Sequence, residues 1–185
     1  MPLEHSPREL FPQTGLRGAK VLLRPFARTD ITEQYLAWLR DPRVVRFSNQ
    51  RLRRHDADTS LAYLASFEGT DNLFLSVRLL DDDRAIGTMT AYVARSHETA
   101  DIGILIGDPA VWRQGLGLDA WGTLLDWLLQ AAKLRKLTAG AVAANHGMVS
   151  VMAKSGMHHE ATRRAQEIVE GQAQDIVYYA RFRAA

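Results

Sequence analysis

Residues 101–117 read DIGILIGDPAVWRQGLG, and this stretch decides the fold. Its apolar first part predicts a buried strand from Ala100 to Ile106, which the turn-forming residues 107–109 end. Beyond the stretch, the apolar period becomes helical and predicts a helix from about Gly117 to Lys133. The apolar stripe of that helix consists of Trp121, Leu124, Leu125, Leu128 and Ala132. A strand therefore passes into a long helix through a loop that contains two glycines.

The loop between these two elements has the features of a phosphate-binding site. Gly115 and Gly117 would let backbone N–H groups approach a phosphate closely, and the following helix N-terminus carries partial positive charge. Arg113 adds a full positive charge beside them. The alternative is a plain strand-to-helix connection in which the glycines serve only for tight turning.

Residues 115–120 also match the dinucleotide-binding pattern G-x-G-x-x-A, but their surroundings argue against a Rossmann unit. In that unit the glycines follow the first strand directly, whereas here residues 107–114 intervene and earlier strands precede. The next predicted strand, from Leu137 to Val142, leads into Ala-Ala-Asn rather than the acidic residue that binds a ribose. A P-loop is excluded because no Gly-Lys-Ser or Gly-Lys-Thr follows.

The flanking sequence predicts a mixed sheet with helices on both faces. Residues 1–18 hold three of the six prolines, and we expect an irregular leader there, followed by one domain at residues 19–185. Asp30 and Glu33 form a capping-box pattern, which predicts a helix that ends before Asp41-Pro42. The other predicted helices run from Thr59 or Ser60 to Phe67 and from Gly147 to Ser155, and the other predicted strands are Lys20–Arg24, Leu73–Leu80, Ala85–Ala94, Glu160–Ile168 and Gln174–Arg183.

Composition narrows the possible functions. The 185 residues carry a formal net charge of +2 and include no cysteine, which excludes disulfides, thiolate metal ligands and cysteine nucleophiles. The six histidines show no H-x-x-x-H spacing, so we expect no metal.

The basic run at residues 51–55 has no interleaved aromatic residues, so we expect no nucleic-acid partner. No apolar run approaches the roughly 18 residues of a membrane helix, and the N-terminus lacks a signal-peptide layout, so we expect no membrane partner and a cytoplasmic location.

Several segments, in this order and spacing, resemble the GNAT acetyltransferases, and more narrowly their RimJ/RimL-like branch. The strand motif D-I-G-x-x-I at residues 101–106 leads into W-x-x-G-x-G at residues 112–117. The other segments that carry the resemblance are Leu22-Leu23-Arg24-Pro25, Trp38-Leu39-Arg40-Asp41-Pro42, and Asn145 followed by Lys154-Ser155-Gly156-Met157. The resemblance covers roughly residues 19–183.

The resemblance implies an α/β (α+β) fold with a single mixed, mostly antiparallel sheet whose central parallel strands splay apart. Acetyl-CoA would lie in the opening between the strands at 101–106 and 137–142, with its pyrophosphate on the loop. The residues implied to bind this co-substrate are Ile104, Leu105, Ile106, Arg113, Gln114, Gly115, Leu116, Gly117, Leu118 and Asn145. Asn145 could equally be a turn residue that caps the helix beginning near Gly147.

The implied chemistry is transfer of an acetyl group to an amine, which must lose a proton before it attacks the thioester. Asp101 is the first candidate for the base, Glu98 the second and His97 the third; a solvated strand end is the alternative for all three. A backbone N–H near Ile104 or Leu105 would stabilise the oxyanion. Met152 stands where the family often has a tyrosine that acts as general acid, and residue 152 would point toward the sulfur of coenzyme A.

The acceptor is the least defined part of the prediction. Asn49, Gln50 and Arg51, close to Arg46, form a polar patch that suits an amino sugar, although a solvated loop is the alternative. Other small amines and a protein N-terminus remain possible, so the expected partner is a small-molecule or peptide amine bound by a monomer or a homodimer. The competing function is a non-catalytic acyl-CoA-binding sensor or scaffold, which the methionine at position 152 and the uncertain base leave open.

Overall fold

A computed structural model of the chain describes residues 5–184, and its centre is one mixed sheet of eight strands. The strand order is β1-β2-β3-β4-β5-β6-β8-β7, and every neighbouring pair except β5–β6 is antiparallel. The strands are β1 Leu16–Arg17, β2 Val21–Pro25, β3 Leu73–Leu79, β4 Ala85–Ala94, β5 Thr99–Ile106, β6 Lys136–Val142, β7 His158–Val169 and β8 Gln172–Phe182. The helices are α1 Pro7–Leu10, α2 Glu33–Arg40, α3 Pro42–Val45, α4 Ala57–Ala65, α5 Leu116–Gln130 and α6 His146–Lys154.

The central pair of strands diverges. Over the described residues, β5 and β6 pair in parallel only where Thr99–Asp101 lie beside Lys136–Thr138. Beyond Asp101, β5 continues to pair with β4, while β6 continues to pair with β8. The splayed parallel strands expected from the sequence are therefore confirmed, and the wedge between them opens toward the carboxyl end of β5.

Helices cover both faces of the sheet because the strand side chains alternate between two hydrophobic layers. On β3, Leu73 and Leu75 belong to the main core with α5 and α6, whereas Phe74 packs in a second cluster with α2. Trp121, Leu124, Leu125 and Leu128 of α5 are fully buried in the main core, as their spacing predicted. None of the helices within residues 5–184 is long and apolar enough to cross a bilayer.

The expected irregular leader is not what the structure shows in residues 5–18. Ser6 and Glu9 form a capping box that starts α1, and Leu16 in β1 pairs with Leu23 in β2. Phe11 is buried with its ring edge against Trp127 of α5, 5.2 Å between centroids. The contact between Phe11 and Trp127 joins segments distant in sequence, so the local proline content gave no sign of it, whereas the Ser6–Glu9 capping box is a local pattern.

Two predicted helix starts also differ. Thr32, not Asp30, caps α2, because its side chain accepts a hydrogen bond from the Tyr35 N–H at 3.2 Å. Asp30 instead closes the short 3₁₀ turn before it by accepting from the Ala27 N–H. Likewise, Asp56 caps α4, which therefore begins at Ala57 rather than at Thr59 or Ser60 and ends before Phe67.

Candidate active site

The wedge between β5 and β6 forms a cleft of about 910 Å³ that passes through the sheet. The edge of β5 that is not paired with β6, residues 102–106, makes one side, and residues 140–142 of β6 make the other. The loop at 113–118 and helix α6 border the cleft on the face of the main core. Residues 43–49, after α2, border it on the opposite face.

The alternation of backbone groups along β5 determines which N–H and carbonyl groups face the cleft. The Gly107 N–H donates to the Ile86 carbonyl of β4 at 2.9 Å, and the Leu105 carbonyl lies against Gly87 of β4. Because backbone groups alternate along a strand, Ile102 and Ile104 direct their N–H and carbonyl groups into the wedge. Of the two N–H groups expected to stabilise an oxyanion, that of Ile104 therefore faces the cleft, whereas that of Leu105 faces β4.

The loop into α5 presents backbone donors to the cleft. Gly115, with a φ of 80°, is the N-cap of α5, so the N–H groups of the first helical turn have no acceptor within the helix. Arg113 adopts a left-handed φ of 64° and has an exposed side chain on the cleft. A Cβ on Gly117 would meet only Ile106, at 3.5 Å, so the space above this helix start is open. The arrangement suits a phosphate anion.

Nine of the ten residues expected to bind the co-substrate line the cleft, and Gln114 is the exception. Its side-chain amide donates to the Ala110 carbonyl at 3.0 Å, which directs the side chain along the loop. Its backbone carbonyl accepts from the Lys20 ammonium at 3.3 Å. Gln114 therefore fixes the loop rather than facing the cleft.

Helix α6 supports both interpretations of Asn145. The side chain accepts from the Met148 N–H at 3.2 Å, which makes Asn145 the N-cap, and the residue also lines the cleft. Met148, Val151 and Lys154 of the helix line the cleft. Lys154 adds a positive charge that the sequence alone did not indicate as part of the site.

The expected position of Met152 is wrong. Its side chain is fully buried in the main core and does not line the cleft. Positions 147, 150, 151 and 154 of the helix line the cleft, and at about 100° per residue their mean direction lies well over 90° from that of residue 152. A methionine here is a packing residue and says nothing about a general acid.

Asp101 lies where the wedge begins, at the last position of β5 that pairs with β6. The Thr138 hydroxyl of β6 donates to its Oδ2 at 2.9 Å. Although the side chain is exposed at the cleft, the surrounding walls partly desolvate the carboxylate and raise its pKa, while the Thr138 hydrogen bond acts in the opposite direction. A carboxylate with a raised pKa is a stronger base. Thr138 could not be found from the sequence, since only the β5–β6 register places it there.

The other two candidate bases lie outside the cleft. Glu98 has a left-handed φ of 52°, and its carbonyl accepts from the Arg135 N–H at 2.8 Å. The His97 carbonyl accepts from the Arg135 side chain at 3.0 Å. Both residues stabilise the turn before β5, at the end of the sheet where β5 and β6 are still paired.

The polar patch expected to bind the acceptor is mostly engaged with the β7–β8 hairpin. Arg46 forms two hydrogen bonds to Glu170, at 3.0 and 2.8 Å, and Arg51 donates to the Ile168 carbonyl at 2.9 Å. Asn49 lines the cleft but donates to Glu167 at 3.3 Å. Gln50 does not line the cleft, and its carbonyl is within 2.7 Å of the His55 ring. Phe47, Ile176 and Tyr178, which the sequence did not single out, also line the cleft.

No metal site is evident in the described part of the chain. Residues 5–184 contain no group of three or more histidine, aspartate or glutamate side chains placed to hold a metal ion.

A strand edge with free backbone groups, a helix start that suits a phosphate and a carboxylate at the apex of the wedge lie together in this one cleft. Residues 20–158 match the sequence model of the acetyltransferase (GNAT) domain. This match covers more than half of the chain, which therefore belongs to the GNAT family and is an acyl-CoA-dependent N-acyltransferase. The curated protein "Probable N-acetyltransferase YjcK" of Bacillus subtilis (strain 168) is 24% identical over 174 residues, covering 86% of this chain and 92% of that protein.

Solved structures share the fold. A GNAT-family acetyltransferase from Bacillus anthracis has a TM-score of 0.78 at 20% identity, over 91% of this chain and 98% of that one. Spermidine N-acetyltransferase from Vibrio cholerae, solved with CoA and spermine, has a TM-score of 0.78 at 16% identity, over 88% and 95% of the two chains. At these identities the likeness concerns the fold alone.

Proposed function

We propose that this protein transfers the acetyl group of acetyl-CoA to a small amine by direct attack on the thioester. The observation that carries the proposal is that a single cleft joins the free edge of β5, the helix start at residues 115–118 and the carboxylate of Asp101. Arg113 and Lys154 supply positive charge on the side where the phosphates of the co-substrate would bind. The backbone of Ile102 and Ile104 would pair with its pantetheine amides.

Two groups of the chain carry out the chemistry. Asp101 accepts the proton of the incoming ammonium, through a water molecule because the side chain is short. The Ile104 N–H donates to the oxygen that becomes negative as nitrogen attacks the carbonyl carbon. The C–N bond forms, the C–S bond breaks, the nitrogen releases its second proton to solvent, and the thiolate takes a proton from solvent. A thiol pKa of about 8.5 makes an unassisted thiolate an acceptable leaving group, so no general acid is required of α6.

The sequence left the acceptor open among an amino sugar, another small amine and a protein N-terminus. The Vibrio cholerae relative, whose structure contains spermine, supports small amines in general as acceptors for this fold. The RimJ/RimL-like branch, a cytoplasmic location and a monomeric or homodimeric state stay proposals that rest on the sequence. The sensor or scaffold alternative loses one of its arguments, because Met152 lies in the core and not at the cleft.

Acetyl-CoA is expected to raise the unfolding temperature of the protein. A ligand that binds only the folded state stabilises it by about 2.7 kcal/mol at a hundredfold excess over its Kd. Thermal scans with increasing acetyl-CoA, compared with scans in inorganic pyrophosphate alone, measure this directly. An unchanged unfolding temperature at millimolar acetyl-CoA would remove the basis for the co-substrate.

Thr138→Val is expected to move the acidic limb of the kcat/KM profile to higher pH. Thr138 donates to the ionised form of Asp101 and so lowers its pKa; without that donor, the pKa rises above its already raised value. The base is active only when ionised, so the limb follows the pKa upward. Thr138→Ser keeps the hydroxyl and should leave the profile close to that of the wild type. A limb that stays in place or moves to lower pH in Thr138→Val contradicts this role.

A further inference from the structure

The face of the sheet from which the acceptor approaches follows from the strand registers. Asp101 pairs with Thr138, and side chains two residues apart share a face, so Gly140 and Val142 lie on the same face as the Asp101 carboxylate. On β8, Tyr178 pairs with Gly140 and Ile176 with Val142, which places both on that face. The helix start that suits phosphates lies with α5 on the other face. An amine that reaches Asp101 from this face can therefore contact β6 and β8.

Part of the surface beside Asp101 is apolar and aromatic. Val142 and Ile176 are buried with Phe47 and Tyr178 packed against them, and all four line the cleft. We call these four residues the apolar wall. Tyr178 lies over Gly140, where an added Cβ would be 2.9 Å from the ring, and the Arg163 guanidinium lies 5.0 Å from the ring centroid. Gly140 and Arg163 thus hold the ring flat against the strand.

The dimensions and polarity of this surface restrict the acceptor. From Thr138 to Val142 a strand rises about 13 Å, which is room for an amino group, a short chain and a ring. The acidic residue at the far end, Glu167, accepts from Asn49 at 3.3 Å and lies 3.9 Å from Arg51. Its charge is therefore already balanced, so a second ammonium group would find no unpaired carboxylate there. The wall itself offers few partners for the hydroxyl groups of a sugar.

We propose that the acceptor is an arylalkylamine, a primary amine that carries an aromatic ring two or three carbons from the nitrogen. The ring packs on the apolar wall, and the nitrogen lies at Asp101. The inference rests on the proposed function and narrows its acceptor. The ammonium passes one proton to Asp101, the nitrogen then forms the C–N bond as the thioester C–S bond breaks, the nitrogen releases its second proton to water, and the thiolate is protonated by water.

Steady-state kinetics at saturating acetyl-CoA test the acceptor class with phenethylamine, spermidine and glucosamine as the amines. We expect kcat/KM for phenethylamine to exceed that for the other two by at least about tenfold, as expected when a hydrophobic pocket accepts a ring. A preference for spermidine or glucosamine overturns the inference and leaves the transferase activity standing.

Two single-residue variants test whether the apolar wall binds the ring of the acceptor. Phe47→Ala should raise the KM for phenethylamine by at least about tenfold without changing the KM for acetyl-CoA, since it removes part of the wall. Phe182→Ala, a phenylalanine of β8 that is 58% exposed and does not line the cleft, is the matched control and should behave as wild type. An unchanged KM in Phe47→Ala overturns the assignment of the wall.

Calorimetry separates a failure of the acceptor class from a failure of the proposed function. If no amine is acetylated, phenethylamine is titrated into protein saturated with CoA. Binding that Phe47→Ala abolishes still supports the apolar wall as an arylalkylamine site, whereas absence of binding overturns it.

Discussion

Asp101→Asn is expected to lower kcat at pH 7 by about a hundredfold to ten-thousandfold, the usual effect of removing a positioned base. Asparagine has nearly the same shape, and its amide oxygen can still accept from Thr138, so the cleft should keep its structure. The KM for acetyl-CoA should stay the same, because the loop proposed to bind its phosphates lies at the far end of β5. Initial rates with saturating acetyl-CoA, measured from pH 6 to 10, give the test.

The pH dependence distinguishes a lost base from a damaged fold. A free amine has a pKa near 10, so at high pH it deprotonates without help and the deficit of Asp101→Asn should shrink. Glu98→Gln is the control, because Glu98 lies outside the cleft and should not be needed. Near-normal activity of Asp101→Asn at pH 7, together with a large loss in Glu98→Gln, would reverse the two assignments.

Gly117→Val is expected to weaken acetyl-CoA binding by about a hundredfold or more while the protein stays folded. A Cβ at this position meets only Ile106 at 3.5 Å, so the protein itself can accommodate a side chain. The branched side chain would instead occupy the space where a phosphate approaches the helix N-terminus. Loss of two charge-assisted hydrogen bonds at about 1.5 kcal/mol each amounts to roughly a hundredfold in affinity.

The same helix provides a matched control for this substitution. Gly122 lies further along α5, has no atom within 4 Å of an added Cβ and does not line the cleft. Gly122→Val should therefore keep normal affinity in calorimetric titrations with acetyl-CoA. If Gly117→Val binds acetyl-CoA within a few-fold of the wild type, the phosphates do not approach this helix start.

The sequence predicted the elements whose signals are local and periodic. The apolar run of β5 and the helical stripe of α5 predicted the strand, the helix and the loop between them, and the resemblance to the GNAT family implied the splayed pair. Helix α6 was also predicted, but not its rotation about its own axis. Alignment of Met152 with the usual tyrosine therefore placed a core side chain in the cleft, since one position along a helix changes direction by about 100°.

The parts that could not be predicted depend on contacts between distant segments. Thr138 meets Asp101 only through the β5–β6 register, and Phe47 meets Tyr178 only because residues 43–49 cross the face of β6 and β8. The polar residues at 46–51 look available to an acceptor in the sequence, because their partners on the hairpin, such as Glu170, are more than a hundred residues away. No local pattern reports such pairings.

The most direct test of the central claim is amine-dependent release of free CoA thiol from acetyl-CoA by the wild-type protein, with the product identified by mass spectrometry. The panel comprises phenethylamine, spermidine, glucosamine and a peptide with a free N-terminus. We expect at least one amine to raise thiol release well above the rate without amine, with one N-acetyl product formed per thiol. Binding of acetyl-CoA with no amine-dependent thiol release across the panel would contradict the claim that this cleft transfers the acetyl group to an amine.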